Sequence, residues 1–94
     1  MGYISALELY GQSLAIFENL GDIGGVASSY GQLGLLNFQL ERYETAAEYF
    51  IKAFSIFQKI GSPNAQLALQ YLAQVQEQLG EKKLGDIFKK LGLV

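Results

Sequence analysis

The sequence predicts an all-α protein, a helical-repeat solenoid of antiparallel helix pairs with about five helices, or two and a half repeats. Two segments recur along the chain: SLAIFENLGD at 13–22 aligns with AFSIFQKIGS at 53–62, and YGQLGLL at 30–36 aligns with LQYLAQV at 69–75. Self-similarity at a spacing of about forty residues is typical of helical arrays. Apolar residues also recur every three or four positions, and the alternation that marks a strand is missing.

Capping residues and glycines divide the chain into helices. Asp22 can cap a helix that begins at the next residue, because its carboxylate can accept a hydrogen bond from a free backbone N–H group. Ser62 and Pro63 predict a similar start, with proline at the first helical position, where no backbone bond is lost. Gly61 and Gly80 stand where helices end, since glycine adopts the left-handed conformation freely. The predicted helices span residues 3–20, 23–39, 42–60, 63–79 and 81–91.

The predicted helices differ in how much of their surface is apolar. In helix 42–60 an apolar stripe opposes a charged face, on which Glu48 and Lys52 form a favourable i,i+4 pair. In helix 81–91 the apolar residues face inward and four lysines face out, as expected of a capping helix. Helix 3–20 is apolar nearly all round, which predicts burial on two sides.

Composition excludes several classes of function. The 94-residue chain has no cysteine and no histidine, which rules out disulfides, thiolate chemistry, histidine bases and the usual zinc sites. The net charge is −2, and four lysines near the C-terminal end are too few for a nucleic-acid footprint. No cationic leader is present, and no apolar run approaches the ~20 residues that span a bilayer. We therefore predict a cytoplasmic protein with no nucleic-acid or membrane partner.

Seven residues between positions 27 and 53 follow a fixed pattern of small and bulky side chains. They are Tyr30, Leu33 and Gly34 in one helix and Tyr43, Ala46, Phe50 and Ala53 in the next. In this pattern the segment resembles a tetratricopeptide repeat, in which an A helix and a B helix pack as a pair. Small residues let the two helices approach, and bulky ones fill the space between them. Glycine inside a helix costs about 1 kcal/mol relative to alanine, so Gly34 indicates close contact.

The resemblance implies a single domain over residues 1–94. Residues 3–20 look like a lone B helix, 23–60 like a complete repeat, and 63–91 like a C-terminal repeat with a capping helix. The period of about forty residues looks like the longer variant found in kinesin light chain and in bacterial signalling arrays. Because the matching residues are packing residues, they specify the fold and not the ligand.

Three glycines in LGDIGGVAS, residues 20–28, invite comparison with a phosphate-binding loop. They follow a predicted helix instead of a strand, and their spacing matches neither GxGxxG nor a P-loop. The equivalent place one repeat later reads GSPN, a plain turn. We therefore interpret residues 20–25 as a turn between repeats, with no cofactor.

No arrangement of residues predicts catalysis. Glu44 and Glu48 share a helix face, but they fall on its solvent side, whereas a catalytic carboxylate pair needs desolvation to separate its pKa values. A serine nucleophile would need a base, and the sequence has no histidine and no serine–lysine motif. The sequence therefore predicts a protein that is not an enzyme, with no catalytic residue, cofactor or metal.

The resemblance implies a concave groove, lined by the A helices, that binds a peptide or helix of a partner protein. An alternative is that Leu35 and Phe38 pack on neighbouring helices as part of the core. The predicted lining has no Lys or Arg, which argues against the grip on a peptide carboxylate seen in one subclass of the family. It favours apolar and amide contacts instead. The predicted groove residues are Ser28, Gly31, Leu35, Phe38, Leu67, Gln70, Gln74 and Glu77.

The apolar surface of helix 3–20 predicts that the chain self-associates. A B helix of this family packs between two A helices, and because the sequence starts at Met1 one of them is missing, which leaves an open apolar face. We expect a homodimer or higher homo-oligomer, formed edge to edge or by exchange of the helix. Two alternatives are a structural self-assembly unit with no ligand, and a fragment of a larger signalling array. The predicted contact residues are Tyr3, Ile4, Leu7, Leu9 and Ile16.

Overall fold

The computed structural model describes residues 2–92, and these residues form five α-helices and no β-strand. Each observed helix end lies within one residue of the predicted end, and the prediction of an all-α fold is confirmed. The helices are α1 (Tyr3–Leu20), α2 (Ile23–Gln39), α3 (Tyr43–Lys59), α4 (Asn64–Leu79) and α5 (Glu81–Lys90).

Helix α3 is the centre of the packing. It contacts α2, α4 and α5, whereas α1 contacts α2 alone among the described helices. A small cluster joins α2 to α3 through Ala27, Ala53 and Phe57. A larger core cluster joins α3 to α4 and α5. Its buried members are Ala46, Ala47, Phe50, Ile51, Leu72, Val75, Leu84 and Ile87.

Three turns between helices share one geometry and recur every twenty residues. Each contains a residue in the left-handed conformation: Gly21 at φ 71°, Glu41 at φ 60° and Gly61 at φ 69°. The backbone N–H of the following residue donates to a carbonyl five positions back, as in a Schellman motif. The donor and acceptor residues are Asp22 and Phe17, Arg42 and Asn37, and Ser62 and Phe57, at N···O distances of 2.9, 2.9 and 2.8 Å.

Side-chain caps begin helices α2 and α4. The Asp22 carboxylate accepts a hydrogen bond from the Gly25 N–H at 2.9 Å, which confirms the predicted cap. The Ser62 hydroxyl accepts one from the Asn64 N–H at 3.2 Å. Pro63 between them already has helical backbone angles of φ −63° and ψ −16°, and the regular α4 helix follows from Asn64. The turn between α1 and α2 is accordingly limited to Gly21 and Asp22, and Gly24 and Gly25 lie in the first turn of α2 and not in the predicted turn over residues 20–25.

Two glycines permit aromatic rings to lie directly on a neighbouring helix. A Cβ atom on Gly34 would lie 2.6 Å from the Phe50 ring, and one on Gly25 would lie 2.5 Å from the Phe17 ring. Because Cβ contacts below 3.0 Å are essentially never seen, a side chain at either position would displace the ring. The close approach expected at Gly34 is present between α2 and α3, and Gly25 permits the same approach between α1 and α2.

Gly34→Ala should destabilise the fold, whereas Gly31→Ala on the same helix should stabilise it. A Cβ atom on Gly31 meets no atom within 4 Å, so alanine adds only its better helix propensity, about 1 kcal/mol. At Gly34 overpacking against Phe50 outweighs that gain, and we expect a net loss of roughly 1–2 kcal/mol. Urea unfolding followed by circular dichroism measures both variants. An unchanged or higher midpoint for Gly34→Ala would contradict the importance of this contact.

Glu41→Gly should stabilise the fold by about 0.5–1 kcal/mol. A residue other than glycine loses about 1–2 kcal/mol in the left-handed region, and the greater freedom of glycine in the unfolded chain offsets part of the gain. Gly61→Ala makes the reverse change in an equivalent turn and should cost about 1 kcal/mol. Chemical denaturation gives the free energy of unfolding of each protein. If Glu41→Gly proves less stable than the parent, the turn at Glu41 is not strained.

Candidate partner-binding groove

A groove of about 260 Å³ lies between α2 and α4, with α3 as its floor. The residues that α2 contributes are spaced three and four positions apart, which places them on one face of the helix. Helix α4 contributes a similar set from its first two turns. The lining residues are Ser28, Gly31, Gln32 and Leu35 of α2, Phe50, Ala53 and Phe57 of α3, and Asn64, Leu67, Ala68 and Tyr71 of α4.

The floor of the groove belongs to the hydrophobic core. Phe50, Ala53 and Phe57 are all buried, with Phe57 the most exposed of the three at 7%. Phe50 also stacks on Tyr71 with 5.2 Å between the ring centroids, which fixes the α4 wall relative to the floor. The packing of the helices therefore forms the groove before any partner binds.

The rim of the groove combines open space with uncharged polar groups. Gly31 leaves a gap in the α2 wall, because no atom occupies the space within 4 Å of its Cβ position. Leu67 on the opposite wall exposes 45% of its surface. Ser28, Gln32 and Asn64 are exposed and supply hydroxyl and amide groups. Such a site can bury an apolar side chain and bond the polar backbone on either side of it.

Half of the predicted groove residues line this groove, and half do not. The residues that line it come mainly from α2, where the repeat pattern is strongest. They are Ser28, Gly31, Leu35 and Leu67. The predicted residues outside it are Phe38, Gln70, Gln74 and Glu77.

Phe38 packs into the core and does not face the groove. Its ring lies edge-on to that of Tyr43, with 5.3 Å between the centroids, and contacts the larger core cluster. Leu35 packs against the same cluster but also reaches the groove. Phe38 therefore packs on the core, as the alternative interpretation predicted. Leu35 packs on the core and also lines the groove.

Gln70, Gln74 and Glu77 lie outside the groove because α4 lines it from only one side of its first two turns. Matching α2 to α4 at a spacing of thirty-nine residues selects these three side chains. The same match also pairs Ser28 with Leu67 and Gln32 with Tyr71, and all four of these residues line the groove. Helix α4 adds Asn64 and Ala68 to the lining and leaves Gln70, Gln74 and Glu77 exposed.

The charged groups of the described chain lie away from the groove, and none of the lining residues is charged. Lys90 of α5 donates a hydrogen bond to Glu48 of α3, and this bond and the carboxylate charge raise the pKa of Lys90. Burial is the main cause of a raised pKa at Tyr30, and the negative charge of Glu18 raises it further. The Lys52 ammonium lies 5.6 Å from the centroid of the same ring. The lining of the groove therefore offers only apolar and neutral polar contacts.

Helix α1 contains no buried residue, although it is rich in apolar side chains. Four of the five predicted self-association residues are exposed, and the fifth, Leu7, is half-buried. The structure adds Leu20, which sequence reasoning missed at the end of the helix, and Ile23 beyond it. Together the large exposed apolar residues of this region are Tyr3, Ile4, Leu9, Ile16, Leu20 and Ile23.

Metal-binding clusters and membrane-spanning helices are both absent from residues 2–92. These residues contain no group of three or more Asp, Glu, His or Cys side chains that could hold a metal ion. Within the same range, no helix has both the length and the apolar character needed to cross a membrane.

Comparison with known proteins identifies the repeat. A family model described as tetratricopeptide repeat matches residues 2–59 and, in a second register, residues 25–84. The chain belongs to the tetratricopeptide repeat family. No curated protein and no solved structure matches it. Tetratricopeptide repeats generally mediate protein–protein interaction, and the family typically provides non-enzymatic scaffolds.

The two family matches overlap on the best-packed part of the chain. The first covers α1, α2 and α3, and the second covers α2, α3, α4 and the first residues of α5. Helices α2 and α3 are common to both, and they hold the contact between Gly34 and Phe50. In the division predicted from the sequence, α2 and α4 are the A-type helices, and the groove lies between them.

Proposed function

We propose that this chain is an interaction scaffold that holds a peptide segment or a single helix of a partner protein in the groove between α2 and α4. The groove itself supports the proposal, because a floor of core residues and an uncharged rim form a ready contact surface. The general role of the family in protein–protein interaction agrees with it. A preformed groove binds with little reordering, which lowers the entropic cost of association.

The size of the groove favours a protein segment over a small molecule. Its volume of about 260 Å³ is below the ~300–1,000 Å³ of typical small-molecule pockets, and it suits one or two apolar side chains. Ser28, Gln32 and Asn64 stand where they can bond the backbone around that anchor. Since no lining residue is cationic, an uncharged apolar segment is a better match than an acidic tail.

Leu67→Glu should weaken the binding of groove ligands by about tenfold or more, whereas Leu69→Glu should not. The two leucines are close on α4 and expose 45% and 41% of their surface, but only Leu67 lines the groove. A carboxylate at position 67 would remove an apolar contact. It would also place an unpaired charge next to the apolar side chain that the partner inserts into the groove. Peptides selected from a display library on the parent protein serve as probes, with fluorescence anisotropy as the readout.

Both leucine variants replace an exposed side chain, so each should fold like the parent, which circular dichroism and urea unfolding verify. Equal loss of affinity in the two variants would mean that charge on α4, and not the groove, governs binding. Full affinity in Leu67→Glu would mean that the selected peptides bind elsewhere, which would contradict the proposed site.

We further propose that the chain self-associates through α1. Of the nine large hydrophobic residues that are exposed in the described chain, six lie between Tyr3 and Ile23. A concentration of apolar surface on this scale marks an association site. The alternative function, a self-assembly unit with no ligand, requires in addition that the assembled state cover the groove.

Light scattering behind a sizing column should show a homodimer or larger species whose fraction rises with protein concentration. Burial of the apolar surface of α1 provides the driving force, and mass action gives the concentration dependence. A monomer at every concentration would remove the proposed self-association and leave the groove proposal in place. Titration of a groove peptide into the assembled species separates the two functions, since a pure assembly unit would bind none.

A further inference from the structure

Helices α1 and α3 hold equivalent places in the repeat but differ in how one side is covered. At a spacing of forty residues, Leu9 corresponds to Tyr49 and Ile16 to Ile56. On α3 this side packs against α2: the Tyr49 ring lies 5.9 Å from that of Tyr30, and Ile56 packs on the smaller core cluster. On α1 no described helix covers the side, and Leu9 and Ile16 expose 51% and 58% of their surface.

Leu9, Ile16 and Leu20, here called the α1 strip, form an apolar line along the uncovered side of the helix. Their spacings of seven and four residues keep them on one side, because the helix turns once every 3.6 residues. By the same geometry the two charged residues of α1, Glu8 and Glu18, project from other sides. The strip therefore offers an uncharged surface to whatever covers it.

The opposite end of the described solenoid is polar and does not match the strip. Outside the groove, Leu69 is the one large hydrophobic residue exposed on α4. If two copies stacked head to tail, the α1 strip of one copy would cover the charged side chains of α5 in the next. These charges would lose their hydration and gain no hydrogen-bonding or ionic partner, which is unfavourable. The exposed residues of α5 are Glu81, Lys82, Lys83, Asp86, Lys89 and Lys90.

We infer that two copies of this chain pair about a two-fold axis, with their α1 strips packed antiparallel; this inference rests on the self-association proposed above. A two-fold contact is self-complementary, so the apolar strip meets an identical apolar strip and association stops at two copies. In the antiparallel order, Leu9 of one copy faces Ile16 of the other. The antiparallel order also sets the dipoles of the two helices in opposite directions, whereas a parallel order would place ends of like partial charge together, which is unfavourable.

The two-fold pair leaves both grooves accessible. No residue of the α1 strip lines the groove, which is built from α2, α3 and α4. The pair therefore presents two identical grooves in a fixed arrangement. A partner with two matching segments would gain avidity from this arrangement, because its second segment binds at a high effective concentration.

The mass of strip variants tests the contact. We expect the parent and Leu69→Glu to be dimers, and Leu9→Glu and Ile16→Glu to be monomers under the same conditions. Leu69→Glu is the matched control, because it places the same charge on an exposed leucine at the other end of the solenoid. A dimer that survives both strip variants, a dimer that Leu69→Glu breaks, or a species that grows beyond two copies would overturn the inference.

Disulfide trapping tests the orientation, since the sequence contains no cysteine of its own. In the antiparallel pair the axis passes near Gln12, between Leu9 and Ile16, so Gln12→Cys should form a covalent dimer. The two Ser5 positions would lie roughly 20 Å apart at a rise of 1.5 Å per residue, beyond the ~7 Å that a disulfide can bridge between Cα atoms. Ser5→Cys should therefore stay unlinked. Efficient linkage of Ser5→Cys would indicate a parallel pair and overturn the inference.

Two different failures are distinguishable in these experiments. A parent protein that is monomeric at every concentration removes the self-association and the two-fold pair together. A stable dimer with the opposite pattern of variants or cross-links removes the two-fold geometry alone, and the proposed self-association stands.

Discussion

The Phe50 ring lies so close to α2 that Gly34 has no room for a Cβ atom, and the positions of three helices follow from this contact. The contact sets the distance between α2 and α3. The same ring stacks on Tyr71 at 5.2 Å and so positions α4. Ala46 and Ala53 lie one turn to either side of Phe50 on α3 and are fully buried. Their small side chains allow the neighbouring helices to pack close to α3. Because the ring also lines the groove, the contact that closes the core shapes the candidate binding site.

Helix α1 shows how far a helix of this repeat is buried when it contacts only one other described helix. Its Phe17 ring packs at Gly25 much as Phe50 packs at Gly34. The turn after α1 has a left-handed residue at the same place, and the same pattern of hydrogen bonds, as the two later turns. One glycine and one capped turn are thus enough to attach α1 to α2. They bury none of its residues, whereas α3, which contacts α2, α4 and α5, has six buried residues. The exposed apolar surface of α1 is therefore a consequence of its single neighbour among the described helices.

The helices could be predicted closely from the sequence because their signals are local. The Asp22 cap, the glycines at the turns and the apolar period each depend on a few neighbouring residues. Glu41 in the left-handed region was not predictable in this way, since glutamate carries no such preference and only the equivalent places of Gly21 and Gly61 reveal it. The predicted residues that line the groove are Ser28, Gly31 and Leu35 of α2 and Leu67 of α4. Repeat matching could not separate Leu67 from Gln70, Gln74 and Glu77, because it does not show which side and which turns of α4 border the groove.

The double role of the floor limits where selectivity for a partner can reside. Phe50 and Phe57 support the core as well as the groove, so any change in them alters the stability of the fold together with binding. A partner that fills the groove adds contacts to these same rings and, by linkage, stabilises the folded chain. The rim has no such double role, because Ser28, Gln32 and Leu67 are exposed and can change without loss of core packing. Under the proposed function, the floor would supply apolar contact that many segments could use, and the rim would determine which segment is preferred.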